Sequence, residues 1–141
     1  MIDLTYQAMQ PCILYFSRTG NTRRMAEAIS EATKAPIFSM TSSAPSAVEG
    51  FDMLIVGTPV EGFRPAKETM AFLERLPNTG DKRAIVFCTC ALWKGRTFSV
   101  LKKELSRKGY NTVLSISKKM KQDQPADFSD SITKIKQMLE K

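Results

Sequence analysis

Short apolar runs alternate along this chain with segments whose apolar residues recur at helical spacing. The runs cover residues 12–16, 36–40, 53–57, 84–88 and 112–116, and the helical patterns cover 22–34, 66–76, 98–105 and 128–139. Continuous apolar runs of about 4–8 residues are typical of strands that are covered on both faces. Because strands joined through helices form right-handed βαβ units, the alternation predicts an α/β protein with a doubly wound, five-stranded parallel sheet and helices on both faces.

Local signals predict where several of these elements begin and end. Pro65 suits the first position of the second helix, Gly109 can end the third, and Asp127 stands near the start of the fourth. The segment 41–50 is rich in Ser, Ala and Pro, which predicts a short helix or a loop. A chain of 141 residues without an internal repeat or a long linker suits one core, so we predict a single domain over residues 1–141.

Residue types that the chain lacks restrict its chemistry. It has no histidine, which excludes Ser-His and Cys-His nucleophiles and the commonest zinc ligand. Its three cysteines, Cys12, Cys88 and Cys90, lie inside apolar runs and do not have the paired spacing of a metal site. We therefore predict buried reduced thiols, no metal site, and redox chemistry only through a bound cofactor.

The distribution of apolar residues also predicts where the protein resides. No apolar run approaches the ~20 residues that cross a bilayer. Residues 1–11 lack a basic region followed by an apolar stretch, which a secretion signal would show. We expect a cytoplasmic protein without a membrane span.

The formal charge of +7 is unevenly placed along the chain. Residues 1–80 carry 7 Lys/Arg and 8 Asp/Glu, whereas residues 81–141 carry 14 and 6. The basic half is either ordinary solvated surface or a face that steers an acidic partner. No nucleic-acid-binding motif accompanies the charge, so we expect no nucleic acid partner. The cations expected at the ligand-binding edge of the sheet are Lys94, Arg96, Lys118, Lys119 and Lys121.

Three segments follow the carboxyl ends of predicted strands, where ligands of such sheets bind. These are residues 17–22, 58–65 and 89–96. The first segment lies between a buried strand and an amphipathic helix, and its hydroxyls, amide side chain and glycine suit either a phosphate site or a structural turn that Thr22 caps. The G-x-x-x-x-G-K-[ST] and G-x-G-x-x-G strings of nucleotide-binding loops are absent. Acids at the strand ends, which a phospho-acceptor domain needs, are replaced by Ser17 and Thr58.

The string Ser17-Arg18-Thr19-Gly20-Asn21-Thr22, directly after the first strand, resembles the flavodoxin phosphate loop [ST]-x-T-G-N-T. Residues 56–60 and 87–89 are similar to the two further flavin-contacting segments of that family, and the likeness extends over residues 12–140. The chain also resembles the short flavodoxin-like part of proteins that continue into a ferredoxin-type iron–sulfur domain. The resemblance implies the strand order 2-1-3-4-5 rather than a truncated dinucleotide-binding sheet, and it implies FMN as the cofactor.

The resemblance also implies which residues contact the FMN. Gly62 either is a plain turn glycine or lets the peptide flip so that a backbone carbonyl accepts the hydrogen of the reduced flavin. Trp93 either stacks on the ring, where the family often has a tyrosine, or packs on the protein surface. Arg18 is expected either near the phosphate or in solvent, and Phe63 either over the ring or in the core. The implied cofactor-binding residues are Ser17, Arg18, Thr19, Gly20, Asn21, Thr22, Thr58, Pro59, Val60, Glu61, Gly62, Phe63, Thr89, Cys90, Ala91, Leu92, Trp93, Lys94 and Gly95.

The implied function is electron transfer between redox partners, which the protein performs by binding FMN. The alternative is an FMN-dependent oxidoreductase that reduces a quinone or oxidises a porphyrin precursor, and a third possibility is a binding module that has lost the flavin. The short chain shows no insertion that would cover a substrate, so we expect a carrier rather than a substrate-specific enzyme. Since flavodoxins are usually acidic and this chain is basic, we expect a ferredoxin or another acidic electron donor as its partner.

Overall fold

The computed structural model describes residues 10–121 and 125–140. Strands and helices alternate along the described chain as the apolar pattern predicts. The strands are β1 (Pro11–Tyr15), β2 (Ile37–Ser39), β3 (Met53–Glu61), β4 (Arg64–Pro65), β5 (Lys82–Cys90) and β6 (Tyr110–Lys119). The helices are α1 (Asn21–Thr33), α2 (Lys67–Glu74), α3 (Thr97–Arg107) and α4 (Ser129–Leu139), and a single 3₁₀ turn covers Pro45–Val48.

The five longer strands form one parallel sheet in the order β2-β1-β3-β5-β6. The two-residue strand β4 pairs antiparallel with the end of β3 and lies off this path. When β4 is set aside, β5 and β6 are the fourth and fifth strands, so the predicted order 2-1-3-4-5 is confirmed. β2 lies on one side of β1 and β3 on the other, so the strand order reverses between β1 and β3. The site described below lies at this reversal.

Two apolar layers cover the sheet because successive strand residues face opposite sides. On one side Leu14 and Val56 belong to the same buried cluster as Leu73 of α2 and Leu101 of α3. On the other side lies a second cluster, which contains residues of β1, β3 and β5 together with α1 and α4: Ile13, Ile55, Ile85, Met25, Ile29 and Ile135. The predicted helices on both faces are therefore confirmed.

The prediction for the segments after the strands was wrong at several residues. Residues 58–61 were expected to form a loop but belong to β3, and Thr89 and Cys90 belong to β5. Pro65 does not begin α2, because it pairs with Val60 in a short hairpin, and the helix starts at Lys67. Proline is tolerated at such an edge position, where its missing N–H breaks no ladder.

Other boundaries agree with the sequence signals. The segment 41–50 holds only the 3₁₀ turn, and α3 ends two residues before Gly109. The backbone N–H of Ser129, the first residue of α4, donates to Asp127 Oδ1 at 2.9 Å, so Asp127 provides a partner for one N–H at the start of the helix. The same hydrogen bond holds the pKa of Asp127 below its usual range.

Candidate functional site

A cleft of about 810 Å³ opens at the carboxyl ends of β1, β3 and β5. All three segments singled out in the sequence contribute to its walls, and so do the end of β6 and the residues just before α4. Its lining residues are Arg18, Thr19, Asn21, Arg24, Pro59, Val60, Glu61, Thr89, Cys90, Ala91, Met120, Lys121, Pro125, Ala126 and Phe128.

The segment between β1 and α1 presents unused hydrogen-bond donors to this cleft. Ser17 Oγ accepts the backbone N–H groups of Gly20 and Arg23, both at 3.1 Å, and so holds the turn in shape. Within residues 10–121 and 125–140, no hydrogen bond uses the backbone N–H of Thr19, Asn21 or Thr22. Free N–H groups at the start of a 13-residue helix form a partially positive site that suits an anion.

Three of the threonines that were expected to bind the cofactor form hydrogen bonds through their hydroxyls in two buried Thr–Thr pairs. Thr22 Oγ1 and Thr89 Oγ1 lie 2.8 Å apart and join α1 to the end of β5. Thr58 Oγ1 lies 2.8 Å from Thr69 Oγ1 of α2, and it also accepts the N–H of Ala66 at 3.3 Å. Thr22 therefore has its N–H rather than a free hydroxyl available at the loop, and Thr58 is turned toward α2.

The Arg18 side chain forms an ion pair with two carboxylates. Its Nε lies 2.5 Å from Glu61 Oε2, and its Nη2 lies 3.0 Å from Glu61 Oε1 and 2.7 Å from Glu68 Oε1. The guanidinium also lies 5.1 Å from the ring centroid of Phe16. The Arg18 hydrogen bond holds the pKa of Glu68 below its usual value, and the two carboxylates raise the pKa of Arg18. Sequence reasoning expected Arg18 near a phosphate or in solvent; the structure shows it in the cleft wall, paired with the end of β3 and with α2.

The hairpin turn after β3 is locked to the segment after β5. Gly62 and Phe63 both have positive φ, at 61° and 62°, as in the type I′ turns of two-residue hairpins. The Phe63 carbonyl accepts the N–H of Arg96 at 2.8 Å. Gly95 packs so closely that a Cβ there would lie 2.3 Å from Phe63 Cβ. The Phe63 and Trp93 rings are in contact, with centroids 5.9 Å apart.

The structure divides the implied cofactor residues into two groups. Those that line the cleft are Arg18, Thr19, Asn21, Pro59, Val60, Glu61, Thr89, Cys90 and Ala91. Those that support or flank it are Ser17, Gly20, Thr22, Thr58, Gly62, Phe63, Leu92, Trp93, Lys94 and Gly95. Trp93 in particular is 60% exposed and lies beside the cleft, against Phe63. The predicted stacking of Trp93 on a flavin stays a prediction.

Sequence reasoning missed several residues that line the cleft. Arg24 lies one helical turn after Asn21, and its Nη2 donates to Asn21 Oδ1, so helical periodicity was a signal that could have found it. Met120, which was missed, and Lys121, which was expected among the cations at this edge, reach the cleft because β6 runs beside β5. Thr89 lies opposite Lys118, and the Met120 N–H donates to the Cys90 carbonyl at 2.8 Å. No local signal marks the other missed residues, Pro125, Ala126 and Phe128.

The three thiols are free and buried. Burial raises the pKa of Cys12 to about 12 and that of Cys88 to about 11, so both thiols are neutral in the folded protein near pH 7. In the described part of the chain, no group of three or more His, Cys, Asp or Glu is placed to hold a metal ion. Nor is any described helix both long and apolar enough to cross a membrane.

Comparisons with known proteins agree with this fold. A family model described as the flavodoxin domain matches residues 12–126. An uncharacterised protein of Methanocaldococcus jannaschii is 27% identical over 105 residues, which cover 72% of this chain and 69% of that protein.

Solved flavodoxin structures superpose on most of the chain. Flavodoxin 1 of Bacillus cereus has a TM-score of 0.70 at 24% identity, and the match covers 93% of this chain and 95% of that one. A flavodoxin of Streptococcus pneumoniae has a TM-score of 0.72 at 21% identity over the same shares of the two chains. The two-electron reduced flavodoxin of Megasphaera elsdenii has a TM-score of 0.70 at 22% identity, covering 82% of this chain and 91% of that one. At these identities, the likeness shows a shared fold.

Proposed function

This chain belongs to the flavodoxin domain family, and from that premise we propose that it binds one FMN in the cleft and carries electrons between redox proteins. The position of the cleft supports this proposal. Open parallel sheets bind their ligands at the point where the strand order reverses, and here that point lies between β1 and β3. The cleft volume of about 810 Å³ lies within the range of cofactor sites.

The observation that carries the proposal is the set of free N–H donors at the start of α1. The phosphate of FMN would bind to the N–H groups of Thr19, Asn21 and Thr22, beside the Thr19 side chain, which also faces the cleft. The partial positive charge of the helix end favours a dianion there, and Arg24 adds a full positive charge in the cleft wall. These donors and charges suit a phosphate ester.

The other cleft walls suit a flat aromatic ring system. Pro59 and Val60 of β3 face the cleft on one side, and Thr89, Cys90 and Ala91 face it from β5 and the residue after it. Both walls are strand ends held by the sheet, so they would hold a ring in one orientation without rearranging. Bound FMN supplies the reversible electron transfer, and this chain binds and orients it.

A comparison of FMN with riboflavin tests the proposal, because riboflavin lacks only the phosphate. We expect flavin absorption bands to remain with the protein after reconstitution with FMN and gel filtration. Titrations followed by flavin fluorescence should give an affinity for FMN that is at least 100-fold above that for riboflavin. Equal affinities, or no retained flavin, would show the proposal to be wrong.

One observation favours a second function, that of an FMN-dependent oxidoreductase. The cleft extends past β5 to Met120 and Phe128, which give it an apolar wall where a flat substrate such as a quinone could bind beside the flavin. Catalytic turnover separates the two functions. With NAD(P)H as the electron donor and no partner protein present, the enzyme should oxidise one NAD(P)H for each soluble quinone that it reduces and complete many turnovers for each FMN. A carrier depends on a partner protein to reduce its flavin again and should show no such turnover.

A further inference from the structure

Three large hydrophobic side chains stand out of the protein on one side of the cleft. Among the described residues, the exposed side chains of this kind are Phe63 at 49%, Trp93 at 60% and Leu92 at 75%. They come from the turn after β3 and the segment after β5, and none of them lines the cleft. Clustered exposed apolar groups of this size mark contact surfaces more often than scattered single ones do.

The surrounding structure fixes the backbone conformation of Phe63. Phe63 adopts φ of 62°, a conformation that is strained for a bulky residue. The hydrogen bond from the Arg96 N–H to the Phe63 carbonyl and the absence of a Cβ on Gly95 keep it there. Strain of this kind persists only where the surrounding structure enforces it, and here it presents an aromatic ring to solvent.

Four cations stand within a few residues of these side chains in the sequence. Arg64 follows Phe63 in β4, Lys67 begins α2, and Lys94 and Arg96 lie in the segment after β5. No ion pair among the residues that the structure describes involves these four side chains. Glu61, directly before the turn, and Glu68, next to Lys67 in α2, are both paired with Arg18. The exposed apolar side chains are therefore accompanied by cations that these two acids do not neutralise.

We propose that Phe63, Leu92 and Trp93, with the flanking cations, form a docking surface for an acidic redox protein; the redox nature of the partner rests on the proposed function. Rigid aromatic side chains supply contact area with little loss of conformational freedom, and they dominate the centres of protein interfaces. The flanking cations attract an acidic partner and speed the encounter. A second copy of this chain carries the same positive charge and is repelled from this surface.

Nuclear magnetic resonance tests the surface directly, because the chain has a single tryptophan and so a single indole N–H signal. An acidic plant-type ferredoxin is added to the ¹⁵N-labelled full chain, first with FMN and then without it. We expect the Trp93 indole signal to shift or broaden in 20 mM salt and to return in 500 mM salt, since exposed charges are then screened. Because the second titration needs no flavin, it measures ferredoxin binding even if the chain does not bind FMN.

Two variants separate docking from folding. Phe63→Asn removes the ring, and asparagine tolerates positive φ, so the hairpin is retained. Combined with Leu92→Ser, it should weaken ferredoxin binding to the flavin-free chain at least tenfold, while the circular dichroism spectrum stays that of the parent chain. Lys103→Ser, on the exposed face of α3, is the matched control and should bind ferredoxin like the parent chain. An indole signal that ferredoxin leaves unmoved would overturn the proposal, as would parent-like binding by the double variant. A response only to anionic lipid vesicles, or to a rising concentration of the chain itself, would also overturn it.

Discussion

The hydroxyl oxygens of Thr22 and Thr89 lie 2.8 Å apart in the buried interior, where they join the start of α1 to the end of β5. Both side chains are almost fully inaccessible to solvent. This bond fixes the loop before α1 relative to the strand that forms the opposite side of the cleft. Thr22 therefore contributes its hydroxyl to folding, while Thr19, in the same loop, faces the cleft.

We expect Thr22→Val and Thr19→Ala to have opposite effects. Thr22→Val leaves the buried Thr89 hydroxyl without a partner and should lower the free energy of unfolding by roughly 1–3 kcal/mol, with little effect on FMN affinity. Thr19→Ala should leave stability nearly unchanged and weaken FMN binding. Urea unfolding measures the first effect and fluorescence titration the second. The double variant Thr22→Val/Thr89→Val should recover most of the lost stability, because no hydroxyl then remains unpaired, and an equally unstable double variant would contradict this account.

Arg18→Gln should raise the pKa of Glu68 toward its ordinary value. The Arg18 hydrogen bond lowers that pKa in the folded protein, so the pair stabilises the fold above the ordinary pKa of a glutamate and ceases to do so as the pH falls through the lowered one. Since both groups are exposed to solvent, the effect on stability should be small. Titration of the Glu68 side-chain carboxyl by nuclear magnetic resonance gives the shift. Lys67→Gln, next to Glu68 in α2, is the control, and an equal shift in that variant would show that the ion pair is not the main cause.

Gly57→Ala should destabilise the core. A Cβ at position 57 would lie 2.1 Å from the ring of Phe87, which is fully buried in β5 beside it. The ring or the strand must move, and overpacking of this kind costs about 1–3 kcal/mol. Urea unfolding should show that loss, whereas Gly50→Ala, where a Cβ meets nothing within 4 Å, should change stability by less than about 0.5 kcal/mol. Adding Phe87→Leu to Gly57→Ala should give back part of the loss; no recovery would assign the cost to the backbone instead.

Stability should fall as the pH rises above about 8.5, the usual pKa of a cysteine. Burial raises the pKa of Cys12 to about 12 and that of Cys88 to about 11, so the folded chain keeps protons that the unfolded chain releases. The thiol contribution to stability is complete below pH 8.5 and is lost as the pH rises toward 11–12. Unfolding curves at pH 8 and pH 10 test this, and the variant Cys12→Ala/Cys88→Ala should show a smaller decrease. Iodoacetamide at pH 8 should modify both thiols only after unfolding, and rapid modification of the native protein would contradict their burial.

The elements of the fold could be predicted because their signals are local. The run at 53–57 and the stripe of Met25 and Ile29 each reveal a strand or a helix within about ten residues, since side-chain direction repeats with the backbone geometry. The loop before α1 was also evident, because a strand end, a turn glycine and a helix start follow one another directly in the chain. The extension of β3 to Glu61 was not evident, because it depends on pairing with Arg64 across a turn whose residues, Gly62 and Phe63, are not a common hairpin pair.

The sequence by itself determined the order of strands and helices, the two apolar faces of the sheet and the loop where an anion would bind. Only the tertiary structure decided how that loop is used. Arg18 finds its carboxylates 43 and 50 residues away, and Thr22 finds its hydroxyl partner 67 residues away. Hydrogen bonds and ion pairs of this range form only after the parallel strands lie side by side, and no backbone propensity along the chain encodes them. The polar partners in the site and the far wall of the cleft are therefore consequences of how the sheet assembles.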